Sequence, residues 1–428
     1  MATLLQRHRV LLRASHLSPA ISAYFNRFSS LVIRKDGDHS HTSQPLRKFG
    51  CGIQCFSSHT QGAMALSEIK HADLQIVNTT APKMKPDDDA LVFGQSISDH
   101  MLILEWDIDE GWKKPVIKPH ENLLLDPSAS VFHYGSEIYE GLKAYRGADR
   151  KIRLFRPMEN LKRFWNSARR MALPTFDKEE LYKCLVELVR LDQDWVPYSQ
   201  SCSLYIRPTL IGTEPSLGVK TPSSAMLFVI TCPVGPYFKS GTFNPVSLLA
   251  DEKYIRSWPG GVGEVKAGGN YGATVYIQGQ AEKQGCNQVL WLFNDQVTEV
   301  GTMNLFMYWI NDSGVEELIT PPLDGLTLAG ITRKSILELA RSWGEFKVSE
   351  RMFTMKDLSI AAKEGRIKEI FGSGTACMVC PVDRILYKGE QLHIPTMENG
   401  PDLTKRFYQE LNDIQYGRQE HEWTEIIS

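Results

Sequence analysis

Acidic residues are missing from Met1 to Lys35, where Arg7, Arg9, Arg13, Arg27, Arg34 and Lys35 stand among Ser and Leu. Leu4, Leu5, Leu11 and Leu12 recur at a helical spacing, with Arg9 and Arg13 off that stripe, a basic amphipathic pattern. The start also lacks a continuous apolar core, which excludes a secretory signal; the composition predicts an organelle transit peptide, against the alternative of a disordered basic tail. Ser- and His-rich sequence continues to about Gly62. Residues 1–64 therefore stand outside the fold, and Met64 offers a second start that would leave a cytosolic form.

Other absences narrow the function. No apolar run approaches the ~20 residues of a membrane span, so no membrane partner is expected. With 48 Lys and Arg against 50 Asp and Glu, the net charge of −2 provides no basic field for nucleic acid. The eight cysteines mostly lack paired spacing, which fits a reducing compartment better than a disulfide framework. Cys377-Met378-Val379-Cys380 has no second pair to complete a four-thiolate zinc site, and His393 is distant in sequence, so no metal is expected. The pair reads either as packing thiols or as the centre of a thiol-redox or binding protein.

What is present in quantity is glycine. Between residues 261 and 274 the chain reads GVGEVKAGGNYGAT, with Lys266 alone among glycines. A Walker loop fails because Ala267 and Gly268 follow the lysine, and a dinucleotide fingerprint fails because Lys266 occupies the place of the third glycine. A lysine with little steric cover suits an amine that attacks a carbonyl. A glycine-rich turn carrying a solvated lysine is the alternative.

Two further stretches bear on that lysine. Glu299 sits in an apolar strand pattern, where a carboxylate requires a cationic partner, a role a protonated pyridine nitrogen would fill. LAGITRKSIL (328–337) sets Gly330-Ile331-Thr332 at a helix start, and GSGTA (372–376) is a second nest of backbone donors; both suit phosphate. Taken singly, Glu299 also reads as a solvent-facing edge residue and Gly330 as a turn. Taken together, a reactive lysine, a buried acid and a phosphate site describe pyridoxal phosphate.

Strands and helices alternate along the chain. LILEW (102–106), IRLFRP (152–157), SLYIRPTLIG (203–212) and AMLFVITCPV (225–234) read as strands. Residues 159–173 and 177–191 read as helices, the second opened by Asp177 at capping-box spacing from Glu180. QVLWLF (288–293) and the run 297–310 read as a hairpin across residues 294–296, and Thr332 to Trp343 as a helix. Residues 65–236 are expected to form a small α/β domain, 237–245 a linker, and 246–428 a larger domain; no internal repeat is evident.

EVKAGGNYG, TEVGTMNLF, ITPPLDG, GITR, FGSGTAC and HIPTMENGP, in this order, resemble the branched-chain aminotransferases, fold type IV pyridoxal phosphate enzymes. The resemblance spans about residues 68 to 425, with DHMLILEW and EPSLGV extending it through the first domain. It implies an α/β (α+β) architecture of two domains, the second a pseudo-barrel. It also implies reversible, ping-pong transfer of the amino group of Leu, Ile or Val to 2-oxoglutarate. Other fold type IV enzymes, a D-amino acid aminotransferase or an aminodeoxychorismate lyase, would share the lysine and the acid.

The resemblance further implies that Lys266 is the Schiff-base lysine and proton shuttle. Tyr271 would bond the cofactor's phenolic oxygen, Glu299 its ring nitrogen, and Arg156, Ile331, Thr332 and Thr375 its phosphate. Tyr134 and the backbone of Thr302 and Ala376 would take the substrate carboxylate. Phe93, Tyr139, Tyr205 and Tyr237 would form an apolar pocket, with Arg207 for the second carboxylate of glutamate. Tyr139 stands where the family usually has Phe, and an added hydroxyl there needs a partner. Leu217 and Val219 would come from a neighbouring subunit of a homodimer. The same resemblance implies a mitochondrial matrix location, transient partners among 2-oxo acid-processing enzymes, and a redox switch in which Cys377 senses and Cys380 resolves.

Overall fold

The computed structural model describes residues 66–236, 244–398 and 400–428. Met64–Ser428 form one compact unit. Residues 1–65, and of the expected linker all but Asn244 and Pro245, lie outside the described residues. Among those described, no helix is long and apolar enough to cross a membrane, and no cluster of His, Cys, Asp or Glu is arranged to hold a metal.

Two sheets organise the unit. The first runs in hydrogen-bonded order through Gln75–Ile76, Val116–Pro119, His100–Asp107, Ser224–Val234, Ser203–Gly212, Leu142–Arg146, Ile152–Phe155 and Thr424–Ile426. Its long strands pair antiparallel, and the helices Pro157–Arg170 and Lys178–Leu191 supply Leu161, Phe164, Leu181 and Leu185 to the same core. Asp177 caps the second helix by accepting from the Glu180 N–H. The reciprocal half of the expected capping box is absent: the Glu180 carboxylate accepts instead from the His71 N–H at 2.6 Å. The last strand, Thr424–Ile426, pairs with Ile152–Phe155, so the C-terminus returns to the first sheet rather than staying with the second.

The second sheet closes on itself. Gln296–Val300 pairs antiparallel with both Gln288–Phe293 and Met303–Ile310. The path through Val246–Ala250, Met378–Tyr387 and Ile367–Gly374 completes the ring, the barrel-like body expected. The run 297–310 is thus two strands, not the single one expected. Gly301, at φ 54°, turns the chain at a position where a side chain is strained. The turn before it is Asn294-Asp295, both at positive φ, the conformation that matches strand twist in a two-residue hairpin. Leu248, Leu290, Val300, Leu305 and Ile370 fill the barrel, while Phe306 packs on its outer face against Phe371 with ring centroids 5.2 Å apart. Cutting Phe306 to Ala would cost about 3–5 kcal/mol.

Candidate active site

The lysine loop is pinned to the first sheet. The Tyr139 N–H donates to the Lys266 carbonyl at 3.0 Å, and Ile138 bridges to Ala267. The Asn270 amide donates to the Val262 and Val265 carbonyls at 2.7 and 2.8 Å, closing the loop on itself. Of its glycines, Gly263 has a definite steric cause: a Cβ there would stand 2.4 Å from the Ser257 Cβ and 3.0 Å from the Gly325 and Leu326 carbonyl oxygens. Lys266 Nζ lies 3.5 Å from the Tyr271 hydroxyl and 4.9 Å from the Tyr139 ring centroid. The amine therefore faces two phenols, not open solvent.

Glu299 is buried, with 3% of its surface exposed. Its Oε1 accepts from the Leu328 N–H at 2.8 Å and the Asn304 amide at 3.2 Å, and its Oε2 lies 3.1 Å from Arg256 Nη1. Burial pushes this carboxyl above its ordinary range, with Arg256 opposing; the charge of Lys266 also reaches it. The cationic partner that the strand pattern called for is thus Arg256, which the sequence did not reveal. The oxygen of the same Asn304 would be 1.9 Å from a Cβ at Gly330, which ties glycine at 330 to the support of Glu299.

Gly330 opens the helix Ile331–Trp343, whose start carries no side-chain cap, leaving its first N–H groups free as donors. Ile331, Thr332 and Thr375 are brought together around one small chamber of about 20 Å³, together with Lys143. Arg156 does not join them. Its guanidinium grips the Glu338 carboxylate at 2.7 and 3.1 Å, reaches Ser335 Oγ at 3.2 Å and lies over the Trp423 ring. An arginine already closed on a carboxylate has little left for phosphate. Arg163, on the same helix, stands nearer: Nη1 donates to the Ala329 carbonyl at 2.9 Å while Nε and Nη2 hold Glu140 at 2.6 and 2.8 Å. Burial alone would raise the fully enclosed Glu140, yet Arg163 holds it below the usual carboxylate range. Asn160, Arg163 and Ser167 recur at a helical spacing on this buried face, a polar stripe that was visible in the sequence.

The pocket residues gather as expected except where they fall on undescribed positions. Phe93 packs edge-on to Tyr205 at 5.0 Å, and Arg207 Nη2 donates to the Tyr205 hydroxyl at 3.1 Å. The Arg207 guanidinium lies 4.7 Å from the Tyr139 ring, and its Nε is buried without a partner. Burial, with a hydrogen bond to Tyr271, raises the Tyr139 phenol above its ordinary pKa. The added hydroxyl of Tyr139 therefore has its partner. Tyr237 lies outside the described residues.

Tyr134 departs from the expected grouping. Its hydroxyl donates to the Leu217 carbonyl of its own chain, and Tyr134, Leu217 and Val219 are all exposed. Thr302 and Ala376 sit on neighbouring turns, the Thr302 carbonyl 4.0 Å from the Cβ position of Gly374. Cys377 and Cys380 are both buried and free. The Cys377 thiol donates to the Met303 sulfur at 3.1 Å. Burial pushes Cys377 up to about 12 and raises Cys380 further.

A pyridoxal phosphate fits these residues. A buried acid could hold a ring nitrogen, an uncapped helix start opens beside Arg163, and the lysine amine stands at a phenol. Comparison with known proteins agrees. The amino-transferase class IV family matches residues 137–385. The chain is 63% identical over 354 residues to the cytosolic branched-chain-amino-acid aminotransferase of Mus musculus, covering 82% of this chain and 92% of that protein. It is 56% identical over 360 residues to the mitochondrial form from the same animal, covering 83% and 92%. Among solved structures, the T.th. branched-chain amino acid aminotransferase with pyridoxamine 5'-phosphate is similar, with a TM-score of 0.59 and 27% identity, covering 76% of this chain and 98% of that one.

Proposed function

Because this chain belongs to the branched-chain-amino-acid aminotransferases of amino-transferase class IV, we propose that it moves the amino group of Leu, Ile or Val to 2-oxoglutarate with Lys266 as its base. Pyridoxal phosphate, the cofactor of this family, would supply an electron-accepting ring when held by these residues. Lys266 removes the proton at the substrate's Cα and returns it on the cofactor side; the neighbouring Tyr271 hydroxyl orients the amine. Glu299 holds a proton at the ring nitrogen. The observation that carries the assignment is this buried acid, fixed by Leu328, Asn304 and Arg256 and sensing the charge of Lys266.

Arg163 replaces Arg156 in the proposed phosphate set, beside Ile331, Thr332 and Thr375. Three of its five N–H donors are engaged, which leaves two for an anion. Thr302 and Ala376 offer backbone donors to the substrate carboxylate. Phe93, Tyr139 and Tyr205 wall the side-chain pocket, and Arg207, with its unpaired Nε, meets the second carboxylate of glutamate. Tyr134, Leu217 and Val219 act as one group. Tyr134 is bonded to Leu217 and all three are exposed; they serve the site of a second copy, and the working unit is a homodimer. Residues 1–64 direct import into mitochondria, a reading supported by their acid-free, arginine-rich composition. Initial rates with Leu, Ile, Val and D-Ala against 2-oxoglutarate test the function. Turnover of D-Ala with none of leucine would overturn it.

A further inference from the structure

Lys143 is a partly buried cation without an acid. It stands on the strand Leu142–Arg146, and its ammonium donates to the Ala376 carbonyl at 3.1 Å. It lines the same small chamber as Thr332 and Thr375. Among the described residues no carboxylate pairs with it. The titratable groups that face it are the Cys377 thiol and, across the chamber wall, the Tyr145 phenol, both kept neutral by burial; Asn160 and Gln415 add only amides. Its bond to the Ala376 carbonyl is open to solvent, so an anion can reach the ammonium, and a cation with no carboxylate at hand attracts one.

We propose that Lys143 is a positioning residue of the substrate site: it holds the Thr375–Ala376 turn through the Ala376 carbonyl and supplies the positive charge against which the substrate carboxylate docks. This rests on the reading above, in which that turn receives the carboxylate. A consequence follows for protons. Burial lowers Lys143 to about 8, so near that pH it is about half protonated in the free enzyme. A carboxylate arriving beside it favours the charged form, and an upward shift of about one unit would draw in about 0.4 of a proton at pH 8 and almost none at pH 6.5.

The test uses holoenzyme and 4-methylvalerate, a carboxylate with a leucine-like side chain and no amine to react. Calorimetric titration in buffers of different ionisation enthalpy measures proton uptake on binding. The wild type is expected to take up protons at pH 8 and not at pH 6.5. Lys143→Arg keeps the charge but cannot titrate, so it should bind within about threefold of wild type without uptake. Lys143→Met should weaken 4-methylvalerate binding and raise KM for leucine by about tenfold or more, with kcat within about threefold. Unchanged uptake in Lys143→Arg assigns the proton to another group and overturns the proposal; so does unchanged binding by Lys143→Met. If Lys143→Met does not fold, the Lys143→Arg result decides alone. Uptake when the apoprotein binds pyridoxal phosphate, with none on adding 4-methylvalerate, would assign the charge to phosphate and overturn the substrate role. Failure of the wild type to bind 4-methylvalerate at all would instead sink the carboxylate site beneath the proposal.

Discussion

Replacing Glu299 with Gln separates the two jobs given to this carboxylate. The Oε1 of glutamine can still accept from the Leu328 N–H and the Asn304 amide, now at 2.8 and 3.2 Å. Its Nε2, however, would point a donor at Arg256 Nη1, which stands 3.1 Å from Oε2. Arg256 would keep only the Gly263 and Leu326 carbonyls, at 3.3 and 3.4 Å, as partners for a buried charge. Arg256 is thereby left short of partners, but removing a charge that burial already disfavours offsets that loss, so the melting temperature of the apoprotein should change little at neutral pH. The chemical effect is separate. An amide cannot hold a proton at the ring nitrogen, and loss of a preorganised electrostatic partner slows chemistry by about 10²–10³-fold, or ~3–4 kcal/mol. The pH dependence has a definite sign. Because burial raises Glu299 in the folded protein, this group favours folding at low pH and works against it as pH rises through its folded value; Glu299→Gln removes that slope. Stopped-flow single turnovers with leucine and thermal scans of the apoprotein read the two effects independently. Single-turnover rates within about threefold of wild type, well under 1 kcal/mol of barrier, would refute the assignment of Glu299 to the ring nitrogen.

Three shorter predictions follow from the same geometry. Arg163→Met should weaken retention of pyridoxal phosphate by about tenfold or more, while Arg156→Met should lower stability by freeing Glu338 but leave cofactor affinity near wild type; dialysis of the bound cofactor checks both, and the reverse order would return phosphate binding to Arg156. Peroxide should oxidise Cys377 slowly in the folded enzyme, since thiolate is scarce for a thiol pushed up to about 12, and added urea below the unfolding midpoint should speed the reaction. Oxidation of Cys377 as fast as that of a free thiol would show that burial does not govern it and would favour the switch. Fusing residues 1–64 to a fluorescent reporter should send it to mitochondria, and a diffuse cytosolic signal would remove the import reading.

The strands and helices were largely legible because local chemistry dictates them. Richness in β-branched and aromatic residues placed 203–212 within its true bounds, and Asp177 marked a helix start that the structure keeps. Lys266, Glu299, Ile331 and Thr332 stood out as candidates for a different reason: each departs from the pattern around it, a lysine among glycines, an acid among apolar residues, a helix start that opens on glycine. The break within 297–310 was hidden. A single Gly301 in an apolar run is tolerated in many strands, and only the pairing of Gln296–Val300 with both neighbours forces the chain to turn there.

The polar groups that support the site were illegible because their partners lie far away in sequence. Nothing near Arg256 announces Glu299, 43 positions on, nor does Glu140 announce Arg163, and neither arginine departs from its local pattern enough to stand out. Arg156 came from the resemblance alone, and its partner Glu338 lies on a helix that arrives 182 residues later. Asn304 shows how such a shell is built. Its amide nitrogen donates to Glu299 and to the Leu328 carbonyl at 2.9 Å, and its oxygen occupies the space that only glycine leaves at 330. One side chain thus holds both the buried acid and the helix start. A substitution at Asn304 should therefore disturb both, which no inspection of the residues adjoining it in the chain would suggest.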